Sequence, residues 1–149
     1  MGSRYGLAIR SANAGDADGI AELMRSAGVS TDSRGLASRL QAIPDQSGAV
    51  LLALEWGPPS GVIALNWAWE LAAEAKVASV TMLLVDPEQR RKGVARLLLK
   101  AAAQIARSSD CHDLRLTAPI QAEHLQAFCL ATGFTELGPS LVRPLRRRA

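Results

Sequence analysis

Hydrophobic positions along this chain switch between a period of two and a period near 3.6, and the switches outline its elements. Tyr5 to Arg10 reads as a first strand. Ile20, Leu23 and Met24 recur at i, i+3 and i+4, the stripe of an amphipathic helix, and Asp16 stands where an N-cap is expected. A second short helix is predicted near Ser33 to Gln41, with Leu36 and Leu40 on one face and Ile43-Pro44 as its stop. Ala49 to Glu55 and Val62 to Trp69 are apolar runs of strand length. Gly57-Pro58-Pro59-Ser60-Gly61 between them is a turn signal, so an antiparallel hairpin is expected. Glu70 to Lys76 suits a loop or a helical turn equally.

Val77 to Val85 predicts a long central strand. Val94, Leu97, Leu98, Ala102 and Ile105 then mark one buried helical face. Asp113 to Thr117 alternates as a short strand. Glu123 to Thr132 is a further helix, with Leu125, Phe128 and Cys129 on one side and Gly133 at the C′ position. Phe134 to Leu137 and Ser140 to Leu145 read as two terminal strands around Gly138-Pro139. The order is β-α-α-β-β-β-α-β-α-β-β, an α+β domain with a mixed sheet. Val77 to Thr117 supplies its one parallel crossover. With neither repeats nor a linker, residues 1–149 are expected to form a single domain.

Composition narrows the class. Hydrophobic residues are 48% and charged residues 21% of the chain, which argues against disorder. Cys111 and Cys129 are the two cysteines, without a CxxC, so a disulfide framework is not expected and a reducing compartment fits. MGSRYGLAIR lacks the apolar region of a signal peptide, and no apolar run is long enough to span a bilayer; a cytoplasmic protein with no membrane partner is expected. A net charge of +3, partly from the Arg143 to Arg148 tail, raises nucleic acid as a partner. Aromatic residues are only 4% of the chain, so stacking surface is scarce and no nucleic-acid partner is expected.

Candidate chemistry concentrates in LLVDPEQRRKGVARLL, residues 83–98. A strand stops at Asp86-Pro87, three cations follow at Arg90-Arg91-Lys92, and Gly93 opens a helix. Backbone N–H groups, a positive dipole end and cationic side chains together suit a phosphate or pyrophosphate. Lys92-Gly93 lacks the flanking glycine and the Ser/Thr of a Walker A loop, and there is no G-x-G-x-x-G. On the local pattern alone, a solvated basic face is an equal reading.

Arg90-Arg91-Lys92-Gly93-Val94-Ala95 resembles the R/Q-x-x-G-x-G/A loop of the GNAT superfamily, the acetyl-CoA-dependent N-acetyltransferases. Leu83 to Pro87 resembles the strand leading into that loop. Ala127-Phe128-Cys129-Leu130-Ala131-Thr132-Gly133-Phe134 resembles the late FYxxxGF segment, and Asp16 to Ile20 with the element order fits as well. The resemblance covers nearly the whole chain. It implies a GNAT-like fold, a mostly antiparallel mixed sheet of about seven strands flanked by about four helices. It also implies transfer of acetyl from acetyl-CoA to a primary amine by direct attack, without a metal. The cofactor contacts it implies are Leu83, Leu84 and Val85 along the pantetheine, Arg90, Arg91, Lys92, Gly93, Val94, Ala95 and Arg96 at the pyrophosphate, and Phe128. A main-chain N–H at Leu83 or Leu84 would polarise the thioester.

Two family features are altered. Cys129 replaces the usual Tyr that protonates the departing thiolate; a buried small hydrophobe is its other reading. The strand before the loop offers Ser79 and Thr81 but no acid, which leaves Glu70 and Glu74 as candidate bases and Glu55 as a weaker one. A non-catalytic acyl-CoA-binding or sensing module is therefore the alternative. Cys111-His112-Asp113 reads as a surface turn rather than a metal site, and His124 as a surface residue near the coenzyme. Trp67 and Trp69 share a strand face and could be core, dimer contact or acceptor wall. Asp32 lies where acceptor choice is commonly set in this family. A small-molecule amine is the expected acceptor, whether polyamine, aminoglycoside or amino-acid-like, and the hydrophobic hairpin permits a homodimer.

Overall fold

The structure is a computed structural model, described here for residues 6–29, 33–89, 93–117, 123–138 and 140–146. By its internal contacts the chain divides into two units, Met1–Pro119 and Ile120–Ala149.

The first unit is built on one sheet of five strands in sequence order: β1 (Ala8–Ser11), β2 (Gly48–Leu54), β3 (Gly61–Ala68), β4 (Lys76–Val85) and β5 (Cys111–Leu116). β1 to β4 pair antiparallel, and β4 pairs with β5 in parallel. The expected hairpin is β2–β3, and the expected parallel pair is β4–β5, joined through α3 (Val94–Ser108). Val50, Leu52 and Val62 pack with Ile20, Leu23 and Met24 of α1 (Ala17–Ser26) and with Leu36 and Leu40 of α2 (Leu36–Asp45). Side chains alternate along a strand, so Gly61, next to Val62, faces the other side, and there it meets Val94 and Leu98 of α3. Leu52, Ile63, Leu65 and Leu98 are fully buried between these layers. Each such side chain is worth roughly 1.5–3 kcal/mol of burial.

The stripe expected on α1 is the buried one, and α3 buries Val94, Leu98, Leu99, Ala102 and Ala106. Leu97 and Ile105, expected on that face, lie at its half-buried margin. Pro44 does not stop α2, which closes at Asp45 with Gln46 N–H donating to the Ile43 carbonyl. So near the end of a helix, proline removes only one ladder bond. Residues 71–75 form turns and bends rather than a helix.

In the second unit α4 (Glu123–Ala131) ends as its sequence suggests. Gly133 takes φ 107°, and Phe134 N–H returns to the Cys129 carbonyl at 3.1 Å, the six-to-one bond of a Schellman ending. The two terminal strands are not formed. The described residues from 134 to 146 hold no strand, and Leu137, Leu141, Val142 and Leu145 are exposed. The sheet therefore has five strands rather than about seven. An apolar alternation becomes a strand only when a ladder partner takes its backbone groups.

Asp16 stands at the N-cap of α1 as expected, but its side chain makes no capping hydrogen bond there. Asn13 caps a short 3-10 turn, Ala14–Asp16, accepting from Gly15 N–H at 2.9 Å, and the Asp16 carboxylate takes the Asn13 N–H at 2.8 Å. Arg10 of β1 donates to both oxygens of the same carboxylate, at 2.8 and 2.7 Å. These hydrogen bonds from Arg10, ahead of the one from Asn13, hold the Asp16 carboxyl below its usual range, against the opposing effect of burial.

Because its folded value lies below the unfolded one, Asp16 contributes its full stability above the ordinary Asp value of about 3.9 and loses it as pH falls through the folded value. Asp16→Asn should cost about 1 kcal/mol at pH 7. Urea midpoints of the two proteins should converge between pH 5 and the acid limit; a gap that persists unchanged would refute this account.

Candidate active site

β4 is held differently along its two halves. From Lys76 to Val80 it pairs with β5, ending at Val80–Leu116, and Thr117 N–H still donates to the Val80 carbonyl at 2.9 Å. Beyond Val80 no described strand lies on that side. On the other side β4 stays paired with β3 as far as Val85. The β3 register slips between Ala64 and Leu65, so that Met82 faces Ala64 while Val80 faces Leu65. Thr81 is the extra residue, a β-bulge where the second ladder ends.

The ladder fixes which backbone groups face the open edge. Asp86 N–H donates to the Ser60 carbonyl at 2.8 Å. In an antiparallel pair the bonded residues alternate, so Leu84 and Met82 also point towards β3. Leu83 and Val85 then present N–H and C=O to the open edge. Of Leu83 and Leu84, it is Leu83 whose backbone N–H faces away from β3.

The chain leaves β4 in an Asx turn. The Asp86 side chain accepts from Glu88 N–H at 3.0 Å, and its carbonyl accepts from Gln89 N–H at 2.8 Å. Arg90, Arg91 and Lys92 lie outside the described residues. Gly93 re-enters as the N-cap of α3 in the left-handed conformation, φ 78°, where glycine is favoured. A Cβ added there would meet no described atom within 4 Å. α3 begins without a capping side chain or an acidic residue in its first turn, so its positive end is uncompensated by these residues. Val94 is buried beneath it, Ala95 is half-buried and Arg96 is exposed.

Gly61 was legible only as part of a turn, and it proves to seat this helix. An added Cβ would stand 2.7 Å from Val94 Cγ1 and 3.0 Å from both the Leu84 carbonyl oxygen and Leu98 Cδ1. The first turn of α3 therefore rests directly on β3 and β4. The only sequence signal was a glycine that opens a strand rather than closing a turn.

The candidate bases are not gathered at Leu83. Glu74 is exposed in the turn before β4. At about 3.3 Å per residue, Lys76 and Leu83 stand roughly 23 Å apart, which puts Glu74 beyond direct reach. Glu70 is paired with Arg115 of β5 at 2.8 Å, which draws it towards Ser79, the partner of Arg115 in the ladder. Glu55 is half-buried just past β2, at the end of the sheet that Val85 reaches but two strands from β4. Cys129, in the second unit, is buried, and burial pushes its thiol up, as it does for Cys111. Phe128 is half-buried on the same helix. Trp67 is half-buried, whereas Trp56 and Trp69 are exposed and the Lys76 ammonium lies 5.9 Å over the Trp69 ring, so the three form no common wall. Asp32 lies outside the described residues, as does the side chain of His124; His112 is exposed. Among the described residues no group of three His, Cys, Asp or Glu side chains could hold a metal, and no helix is long and apolar enough to cross a membrane.

β4, second from the sheet edge and without a described strand on its β5 side beyond Val80, thus runs into a glycine-led helix in an α+β domain. Residues 18–134 match the family model described as Acetyltransferase (GNAT) family, and the chain belongs to that family. Solved structures share the fold. Glucosamine-6-phosphate N-acetyltransferase from Arabidopsis thaliana superposes with TM-score 0.79 at 14% identity, over 94% of this chain and 99% of that one. Ribosomal-protein-alanine N-acetyltransferase from Brucella melitensis biovar Abortus 2308 gives 0.77 at 22% identity, over 94% and 99%. AAC(6')-Iy in complex with the bisubstrate analog CoA-S-monomethyl-acetylneamine gives 0.78 at 17%, over 95% and 99%. At these identities the likeness is one of fold. No curated protein matches the sequence.

The seat at Gly61 leads to a measurable consequence. Gly61→Ala should lower stability by about 1–3 kcal/mol through overpacking. It should also weaken coenzyme A binding by more than the lost stability explains, because the helix start moves with it. Calorimetric titration of the folded variant checks this; wild-type affinity would show that the contact does not position the loop.

Proposed function

We propose that this protein is an acetyl-CoA-dependent N-acetyltransferase acting on the primary amine of a small molecule. The observation that carries the reading is the edge of β4 at Leu83 and Val85, free of any described strand, eight to ten residues before the uncapped helix start at Gly93. A peptide-like pantetheine arm can add to such an edge as a strand would. The left-handed Gly93, with no described atom within 4 Å of where a Cβ would stand, lets a pyrophosphate approach the backbone of Val94 and Ala95. Arg90, Arg91 and Lys92 add charge by sequence, and Arg96 follows on the first turn. Acetyl-CoA, once bound, supplies the acetyl group as an activated thioester.

The division of labour follows from the chain. Leu83 N–H donates to the carbonyl oxygen and stabilises the negative charge that develops there. The neutral amine attacks the carbonyl carbon, forming the C–N bond; the C–S bond then breaks, the sulfur leaves with the electron pair and takes up a proton, and the nitrogen loses one. Of Glu70 and Glu74, both exposed, Glu70 is the one drawn along the sheet by Arg115 and so the better placed to receive that proton through water. Cys129 is assigned to packing, since a buried thiol with a raised pKa behaves as a small apolar residue.

Release of free thiol from acetyl-CoA on addition of an amine is the direct test. Turnover with at least one small amine is expected; tight acetyl-CoA binding with no turnover on any amine would leave a binding module instead. Gly93→Glu should weaken coenzyme A at least about tenfold by titration, through bulk and like charge, with the fold intact by circular dichroism. Equal affinity in the two proteins would reject the pyrophosphate site.

A further inference from the structure

Where β4 and β5 part, one side chain reaches across the gap. Thr117, which directly follows β5, meets the Val80 carbonyl twice: its backbone N–H donates at 2.9 Å and its Oγ1–H at 3.1 Å. The first bond completes the Val80–Leu116 rung, the last of the ladder. The second lies beside it, so a hydroxyl stands at the root of the fork between the strands. That contact is half-buried, while Thr117 itself keeps an exposed surface that a ligand in the fork can touch.

A hydroxyl has one proton and two lone pairs. Val80 takes the proton, so Thr117 meets any further group as an acceptor. The group it suits is therefore a hydrogen-bond donor. Arg115 lies two residues earlier and so on the same face, where it holds Glu70 at 2.8 Å.

Under the acetyltransferase reading the direction of the donor is set. With the pyrophosphate at Gly93, the pantetheine arm passes Val85 before Leu83, and the sulfur lies on the Val85 side of the thioester carbonyl. The Val80 side is left to the methyl group and the nucleophile. Three residues at about 3.3 Å each separate Val80 from Leu83, roughly 10 Å in all. That span accommodates a hydrogen bond from Leu83, the carbonyl group, an attack distance of about 3 Å and a second hydrogen bond to Thr117.

Resting on that reading, we propose that Thr117 is a catalytic residue whose Oγ1 accepts an N–H of the attacking primary amine. The contact aims the nitrogen lone pair at the carbonyl carbon, and Thr117 keeps its own proton throughout. As the C–N bond forms, the nitrogen becomes positive and its N–H a stronger donor, so the contact tightens on the way to the transition state. The nitrogen then loses a proton through water towards Glu70, and the sulfur leaves with the electron pair of the C–S bond.

Thr117→Val keeps the volume and the backbone rung but removes the acceptor; Thr117→Ala removes it without bulk, and Thr117→Ser retains it. Thiol release from acetyl-CoA is measured with spermidine, phenethylamine and leucine, and acetyl-CoA affinity by calorimetry without amine. With each amine that the wild type uses, Thr117→Val and Thr117→Ala should lower kcat about tenfold, while KM, acetyl-CoA affinity and melting temperature stay near wild type. Thr117→Ser should return to within about threefold of wild-type kcat.

Wild-type kcat in Thr117→Val overturns the proposal, as does a Thr117→Ser rate no better than that of Thr117→Ala. A fall in rate matched by equal falls in acetyl-CoA affinity and in melting temperature also overturns it, since a merely structural clamp behaves so. In all three cases wild-type turnover still upholds the acetyltransferase. Bound acetyl-CoA with no thiol release by the wild type on any of the three amines counts against that reading and the proposal together.

Discussion

β4 answers to two partners of unequal length, and the site follows from that inequality. Its ladder to β3 runs from one end to the other, while its ladder to β5 stops at Val80. A strand with both ladders complete would have no backbone group to offer a ligand. One with a single ladder along its full length would lack the anchoring that β5 provides at Lys76 to Val80. The observed compromise keeps the strand rigid and leaves its last five residues able to accept one more extended partner. α3 then fixes where the chain goes next, because Gly61 allows its first turn to lie on the sheet without an intervening side chain.

Much of this architecture was legible in the chain. The stripe of Ile20, Leu23 and Met24 is buried as its spacing implies, and the α3 stripe predicted from Val94 to Ile105 has its centre at Leu98 and Ala102. These segments are long and periodic, so local pattern and tertiary burial agree. The residues that escaped notice depend on long-range pairing. Thr81 is an ordinary strand residue until the register with β3 shows it to be a bulge. Gly61 looks like part of a proline-rich turn until α3 is placed over it. Asp16 has the right type and position for a helix cap, but Arg10, six residues earlier, claims both of its oxygens. The terminal alternation from Phe134 to Leu145 has the pattern of strands, yet exposed Leu141 and Leu145 show that pattern alone supplies no partner.

The bulge at Thr81 makes β4 intolerant of changes in count. Strand residues have a parity: those an even number apart face alike, and one added residue reverses every position after it. Thr81 is such an addition, already built in, and it puts Leu83 rather than Leu84 on the open side. An insertion or deletion between Thr81 and Asp86 would exchange the two sets, turning the edge groups inward to β3 and the inward ones out. The loop that follows can lengthen at little energetic cost. The short stretch of β4 before it has, in effect, a spelling that permits substitution of letters but not a change in their number.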